Sequence, residues 1–140
     1  MRVFLDTNVL ASGLAARGLC AELIEGVVDE HELLTCEPVL QELERVLAQK
    51  FRLPDQVIKG FLALLKSEGE VVSATIAPAL SFKDPDDIPI LACAIAGRAD
   101  VFVTGDKALL ELREIEGIPI LSVRQFWQKL AGLDEPDTAR

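Results

Sequence analysis

A chain of 140 residues, 50% hydrophobic and 26% charged, has the length and composition of one domain with a sizeable core. Its net charge of −9 argues against a broad phosphate-binding surface, although local basic residues and metal-held acids stay compatible with nucleic acid. No apolar run reaches the roughly 18 residues of a membrane span, and the start lacks a basic segment followed by an apolar core, so a cytoplasmic protein with no membrane partner is expected.

"RVFL" (2–5) predicts a buried strand, and residues 8–16 and 19–28 predict helices broken near Gly18. "ELLTC" (32–36) is a second short strand. Pro38 suits the first turn of a helix carrying Val39, Leu40, Leu43, Val46 and Leu47 at helical spacing. Another helix starts at Pro54 and carries Val57, Ile58, Phe61, Leu62, Leu64 and Leu65. "EVVSA" (70–74) is a weaker strand. "FKDPDDIP" (82–89) is a turn and helix start, with Asp86 the expected N-cap and Gly97 the expected stop. "DVFVT" (100–104) is a strand, 107–114 a helix, "IPILS" (118–122) a strand and 123–131 a helix. The domain is expected over 1–131, and the polar tail 132–140 to be disordered.

Strands alternating with helices imply βαβ units. The expected fold class is α/β, a three-layer α/β/α arrangement with a mostly parallel central sheet. In such sheets, sites gather beyond the carboxyl ends of the strands.

Sulfur and imidazole chemistry is not well supplied. Cys20, Cys36 and Cys93 are odd in number, widely spaced and set among apolar residues, which suits buried thiols. His31 is the only histidine. Carboxylates are plentiful, and four occupy comparable places. Asp6 and Asp106 each follow a short apolar strand, where capping the next helix explains them equally well. Glu42 falls at the edge of an apolar stripe near Val46, while Glu44 points away. Asp87 shares a face with Leu91, Ala94 and Ile95, and capping does not explain it as it explains Asp86. Two carboxylates about 5 Å apart at an effective dielectric of about 20 repel by roughly 3 kcal/mol, so a converging set needs protons or a divalent cation. Oxygen ligands without His or Cys select Mg²⁺ or Mn²⁺.

The stretches "FLDTNVL", "EPVLQELERVL", "KDPDDIPILACAIAG" and "VFVTGDKALLEL" resemble, in order, the four motif regions of PIN domains. The likeness is to small stand-alone prokaryotic members, the VapC-like toxins of toxin–antitoxin pairs. It implies a parallel sheet flanked by helices and metal-dependent cleavage of RNA, with a cognate antitoxin as partner. It places the family's acids on Asp6, Glu42, Asp87 and Asp106, its small polar residue on Thr104 and its amide on Asn8. Asp6, Asp87 and Asp106 would hold one Mg²⁺ or Mn²⁺, and Glu42 would act partly through water. Many relatives carry a further acid where this chain has Ala108, which puts a second metal in question. Lys83, Arg98 and Lys107 are candidates for positioning the RNA backbone, and Thr7 receives no role.

Three rival readings remain. A PIN-like RNA-binding or regulatory module without nuclease activity would suit Ala108 and the acidic charge. A haloacid dehalogenase-like phosphotransferase needs an acid at position 8, where Asn8 stands, and a receiver domain needs an N-terminal acid pair that is missing. The apolar residues of 54–66 suit an antitoxin, a homodimer or simple core packing.

Overall fold

The computed structural model describes residues 1–74 and 87–132. The run Arg2–Leu5 forms strand β1, whose Val3, Phe4 and Leu5 are buried, as a strand covered on both faces requires. Helices α1 (Thr7–Ala15) and α2 (Leu19–Glu30) lead to β2 (Glu32–Thr35). Helices α3 (Glu37–Gln49) and α4 (Asp55–Glu68) lead to β3 (Glu70–Val71). Helix α5 (Ile88–Ala96) precedes β4 (Val101–Val103), and α6 (Lys107–Leu112) follows it. A short pair, β5 (Glu114–Ile115) and β6 (Ile118–Leu121), leads to α7 (Val123–Leu130).

The sheet order is β3-β2-β1-β4-β6-β5. Every described pairing is parallel except β5 with β6, so the expected α/β class with a mostly parallel sheet is the observed one. The chain builds outward from β1 through β2 to β3, then returns to place β4 on the other side of β1. The strand order therefore reverses between β1 and β4, and a crevice opens beyond their carboxyl ends. Register across this junction is held by Phe4 opposite Phe102, whose rings stack with centroids 5.2 Å apart and planes 8° from parallel. Both rings are fully buried, and together they anchor the two strands that end just before Asp6 and Thr104.

Several expectations need correcting. The strand expected over 70–74 pairs only at Glu70 and Val71, because β2 ends at Thr35 and Val72 makes the last bond, its N–H to the Thr35 carbonyl at 2.8 Å. The helix expected over 107–114 stops at Leu112, where Arg113 turns to φ 65° and starts the unforeseen β5–β6 hairpin. Gly97 does end α5, but in right-handed conformation; Arg98 is the left-handed residue, at φ 55°. Glycine at 97 answers close approach instead, since a Cβ there would stand 3.0 Å from Val72 Cγ1. Asp87 stands at the N-cap position of α5, with no side-chain cap bond to it. Lys83, Asp84, Asp86 and the tail expected over 132–140, apart from Gly132, lie outside the described residues. Among the described residues, no helix is long and apolar enough to cross a membrane.

Candidate active site

Strand β1 ends by handing Asp6 to the crevice. The backbone N–H of Asp6 still bonds to the Val103 carbonyl of β4 at 2.9 Å, so its position is set by the sheet. Its side chain then caps α1: Oδ1 accepts from the Thr7 N–H at 2.8 Å. Oδ2 accepts from the Thr104 hydroxyl at 2.7 Å. The capping and site readings of Asp6 are thus served by different oxygens.

Thr104 is fully buried and works in both directions. Its Oγ1 also accepts the Asp106 N–H at 3.0 Å, which ties the fourth acid to the first through one hydroxyl. Asp106 itself caps α6, its Oδ1 accepting from the Ala108 N–H at 2.8 Å. Asn8 lies along the same seam. Its Oδ1 accepts from the Gly105 N–H at 3.1 Å, and its Nδ2 reaches Asp6 Oδ2 at a long 3.5 Å. Asn8 therefore clamps α1 to the β4–α6 turn more firmly than it holds the carboxylate.

The third element is α3. Glu42 is half-buried, and its Oε1 accepts from the Thr7 hydroxyl at 2.6 Å. That short, charge-assisted bond assigns Thr7, the residue for which the sequence suggested no role. Its signal was faint: a hydroxyl directly after an acid at a strand end, reaching a partner 35 residues away. Asp87, at the head of α5, lines the same cleft.

Together Asp6, Glu42, Asp87 and Asp106 line a cleft of about 270 Å³. Asp6 is only 5% exposed, and burial pushes its pKa above the usual carboxylate value. The bonds from Thr104 and Thr7 pull it back, while the charges of Glu42 and Asp106 push it up again. Thr7, Asn8 and Ala11 supply the α1 wall, and Lys50 and Phe51, just past α3, close one side. Two of the basic residues foreseen as backbone contacts lie elsewhere. Arg98 borders a depression with Arg2 and Glu70 at the amino-terminal edge of the sheet. Lys107 lines a neighbouring open groove of about 860 Å³ between α6 and β6, which holds none of the four acids.

Among the described residues, no three acid, thiol or imidazole side chains already stand in a ligating arrangement. The donor chemistry nonetheless fits a hard divalent cation. Among the described residues that line it, the cleft offers carboxylate and hydroxyl oxygen and neither thiol nor imidazole. Its most buried acid is raised partly by two like charges, a repulsion that a cation relieves.

An acid-lined cleft at the switch point of a mostly parallel sheet is the class of site this fold builds. Residues 2–108 match the family model of the PIN domain, and the chain belongs to that family. The matched segment contains all four acids. Among solved structures, a chain in the crystal structure of VapBC2 from Rickettsia felis, bound to a DNA fragment from their promoter, shares the fold. The TM-score is 0.63 at 16% identity, with 87% of this chain and 98% of that chain covered. Among curated proteins nothing matches the sequence.

Proposed function

We propose that the protein is a Mg²⁺- or Mn²⁺-dependent endoribonuclease acting on single-stranded RNA. The observation that carries this reading is the doubly held Asp6, fixed by the Thr7 N–H and the Thr104 hydroxyl within the fields of Glu42 and Asp106. Membership of the PIN domain family supports it independently. Asp6, Asp87 and Asp106 would hold the ion, which when bound supplies Lewis acidity toward water and the phosphate oxygens. The chain's own part is positional. Thr104 keeps Asp6 and the Asp106 backbone in one frame, and Asn8 locks α1 against Gly105. Glu42, steadied by Thr7, orients the attacking water and takes up its proton.

The likeness to a VapBC2 chain supports a further placement, as the toxin of a pair with a cognate antitoxin. Val57 and Leu64 are exposed on α4 and offer apolar surface to that antitoxin or to a second copy as a homodimer. The alternative is an RNA-binding or regulatory module with little nuclease activity. It is favoured by Ala108, where many relatives have an acid, and by the absence, among the described residues, of three carboxylates already in a ligating arrangement.

Purified protein given Mn²⁺ is expected to cut single-stranded RNA internally, and to stop on addition of EDTA or on Asp6→Asn. Cleavage that survives both changes refutes the assignment. Calorimetric titration with Mn²⁺ separates the alternative: no heat at millimolar metal favours the module. Neutralisation of growth inhibition by co-expressing an adjacent open reading frame tests the toxin placement.

A further inference from the structure

Four carboxylates lining one small cleft make a poor landing place for a polyanion. Lys50 is the one basic side chain among the described residues of that lining. It is exposed, yet it forms none of the described salt bridges, which join Arg2 to Glu32 and Glu70 and Lys59 to Asp55. Its ammonium lies instead over the ring of Phe51, 5.8 Å from the centroid. A lysine in an acidic cleft that rests on an aromatic face keeps its charge available to something else.

The backbone holds this pair with care. Lys50 and Phe51 both direct their N–H groups to the Val46 carbonyl, at 2.9 and 3.2 Å, and Leu53 directs its own to Leu47 at 3.0 Å. Between them Arg52 adopts φ 54°, a left-handed conformation that favours glycine. A non-glycine residue held there costs on the order of 1 kcal/mol. Phe51 is partly buried against the core, so the turn fixes the ring and the ring steers the lysine.

We propose that Lys50 is the phosphate-binding residue of this cleft, contacting a phosphodiester oxygen of single-stranded RNA beside Glu42, with Phe51 as its positioning residue. This deepens the ribonuclease reading and rests on it for the identity of the nucleic acid. A lysine is suited to the task because it binds phosphate as a compact point charge on a flexible stem.

The test measures binding and cleavage separately. Binding of a fluorescein-labelled, mixed-sequence single-stranded RNA is followed by anisotropy over a range of salt, in the Asp6→Asn background so that nothing is cut. Lys50→Gln is expected to weaken binding about tenfold, the scale of one charge-assisted bond. It should also lower the slope of log affinity against log salt by about 0.7, one phosphate contact on a single strand. Lys50→Arg should restore most of both. Phe51→Leu should give an intermediate loss with the slope largely kept. In the cleaving protein the same Lys50→Gln change should raise KM and leave kcat nearly intact, with an unchanged melting temperature. Affinity and salt slope that do not respond to Lys50→Gln overturn the proposal. If Lys50 governs binding but the unaltered chain never cuts RNA, the nuclease reading fails and the phosphate-binding role stands.

Discussion

Replacing Thr104 by valine tests whether the site is held by hydroxyl chemistry or by packing. Valine keeps the branched shape in a fully buried place and exchanges only the hydroxyl for a methyl. Two bonds disappear: the charge-assisted one to Asp6 at 2.7 Å and the one accepted from the Asp106 N–H at 3.0 Å. The first is worth about 1.5–3 kcal/mol and the second about 1, so a loss of roughly 3 kcal/mol is expected. Thr104→Ser keeps both bonds and deletes one buried methyl, at a cost of about 1 kcal/mol. At about 4 °C per kcal/mol for a chain of this size, valine should lower the melting temperature by roughly 12 °C and serine by roughly 4 °C. Packing alone predicts the reverse, because valine buries more apolar surface than serine. Thermal melts followed by circular dichroism in EDTA read the order directly. A valine variant that melts within about 2 °C of the serine variant refutes the account.

Asp6→Asn should abolish metal-dependent cleavage yet raise the stability of the metal-free protein by about 1 kcal/mol, as functional sites often trade stability for chemistry. Urea unfolding in EDTA checks the sign, and a clear loss of stability sinks the idea. The pH dependence follows from the raised pKa of Asp6. A carboxyl that binds its proton more tightly when folded lends stability in full below its unfolded value of about 3.9, and loses it as pH climbs through the folded value. The stability gap between Asp6→Asn and the parent should therefore widen as pH rises from about 4 toward neutrality; a constant or narrowing urea midpoint difference contradicts this. Thr7→Val removes the 2.6 Å bond to Glu42. It should cost about 1 kcal/mol in unfolding free energy and about tenfold in kcat, with KM little changed, and single-turnover kinetics would show whether only the chemical step slows.

The strands that frame the site were legible because they are short apolar runs cut off by acids. "RVFL" became β1 with the bounds expected, and "VFV" within "DVFVT" became β4. Helical spacing likewise located α3 and placed Glu42 at the margin of its buried face. The bonds that organise the crevice were not legible. Thr104 meets Asp6 across 98 positions and Thr7 meets Glu42 across 35, separations at which no local pattern speaks. Lys50 escaped notice for the same reason: its place beside the acids depends on how α3 ends, and that end relies on a left-handed arginine where glycine would be expected. Arg98 shows the opposite error, a basic residue near an acid-bearing helix in sequence but at the far edge of the sheet in space.

The span between Asp6 and Thr104 also bears on biosynthesis. The hydroxyl that frames Asp6 is joined to the chain 98 positions after it. Closing that loop costs entropy that grows only slowly with length, so stability loses little to the distance. Timing is another matter, because a strand still inside the ribosome cannot pair. A nascent chain lacking β4 has neither the Val103 carbonyl nor the Thr104 hydroxyl that place Asp6. The crevice is therefore assembled only after Val103 and Thr104 have left the ribosome, because they supply the backbone and side-chain partners that place Asp6.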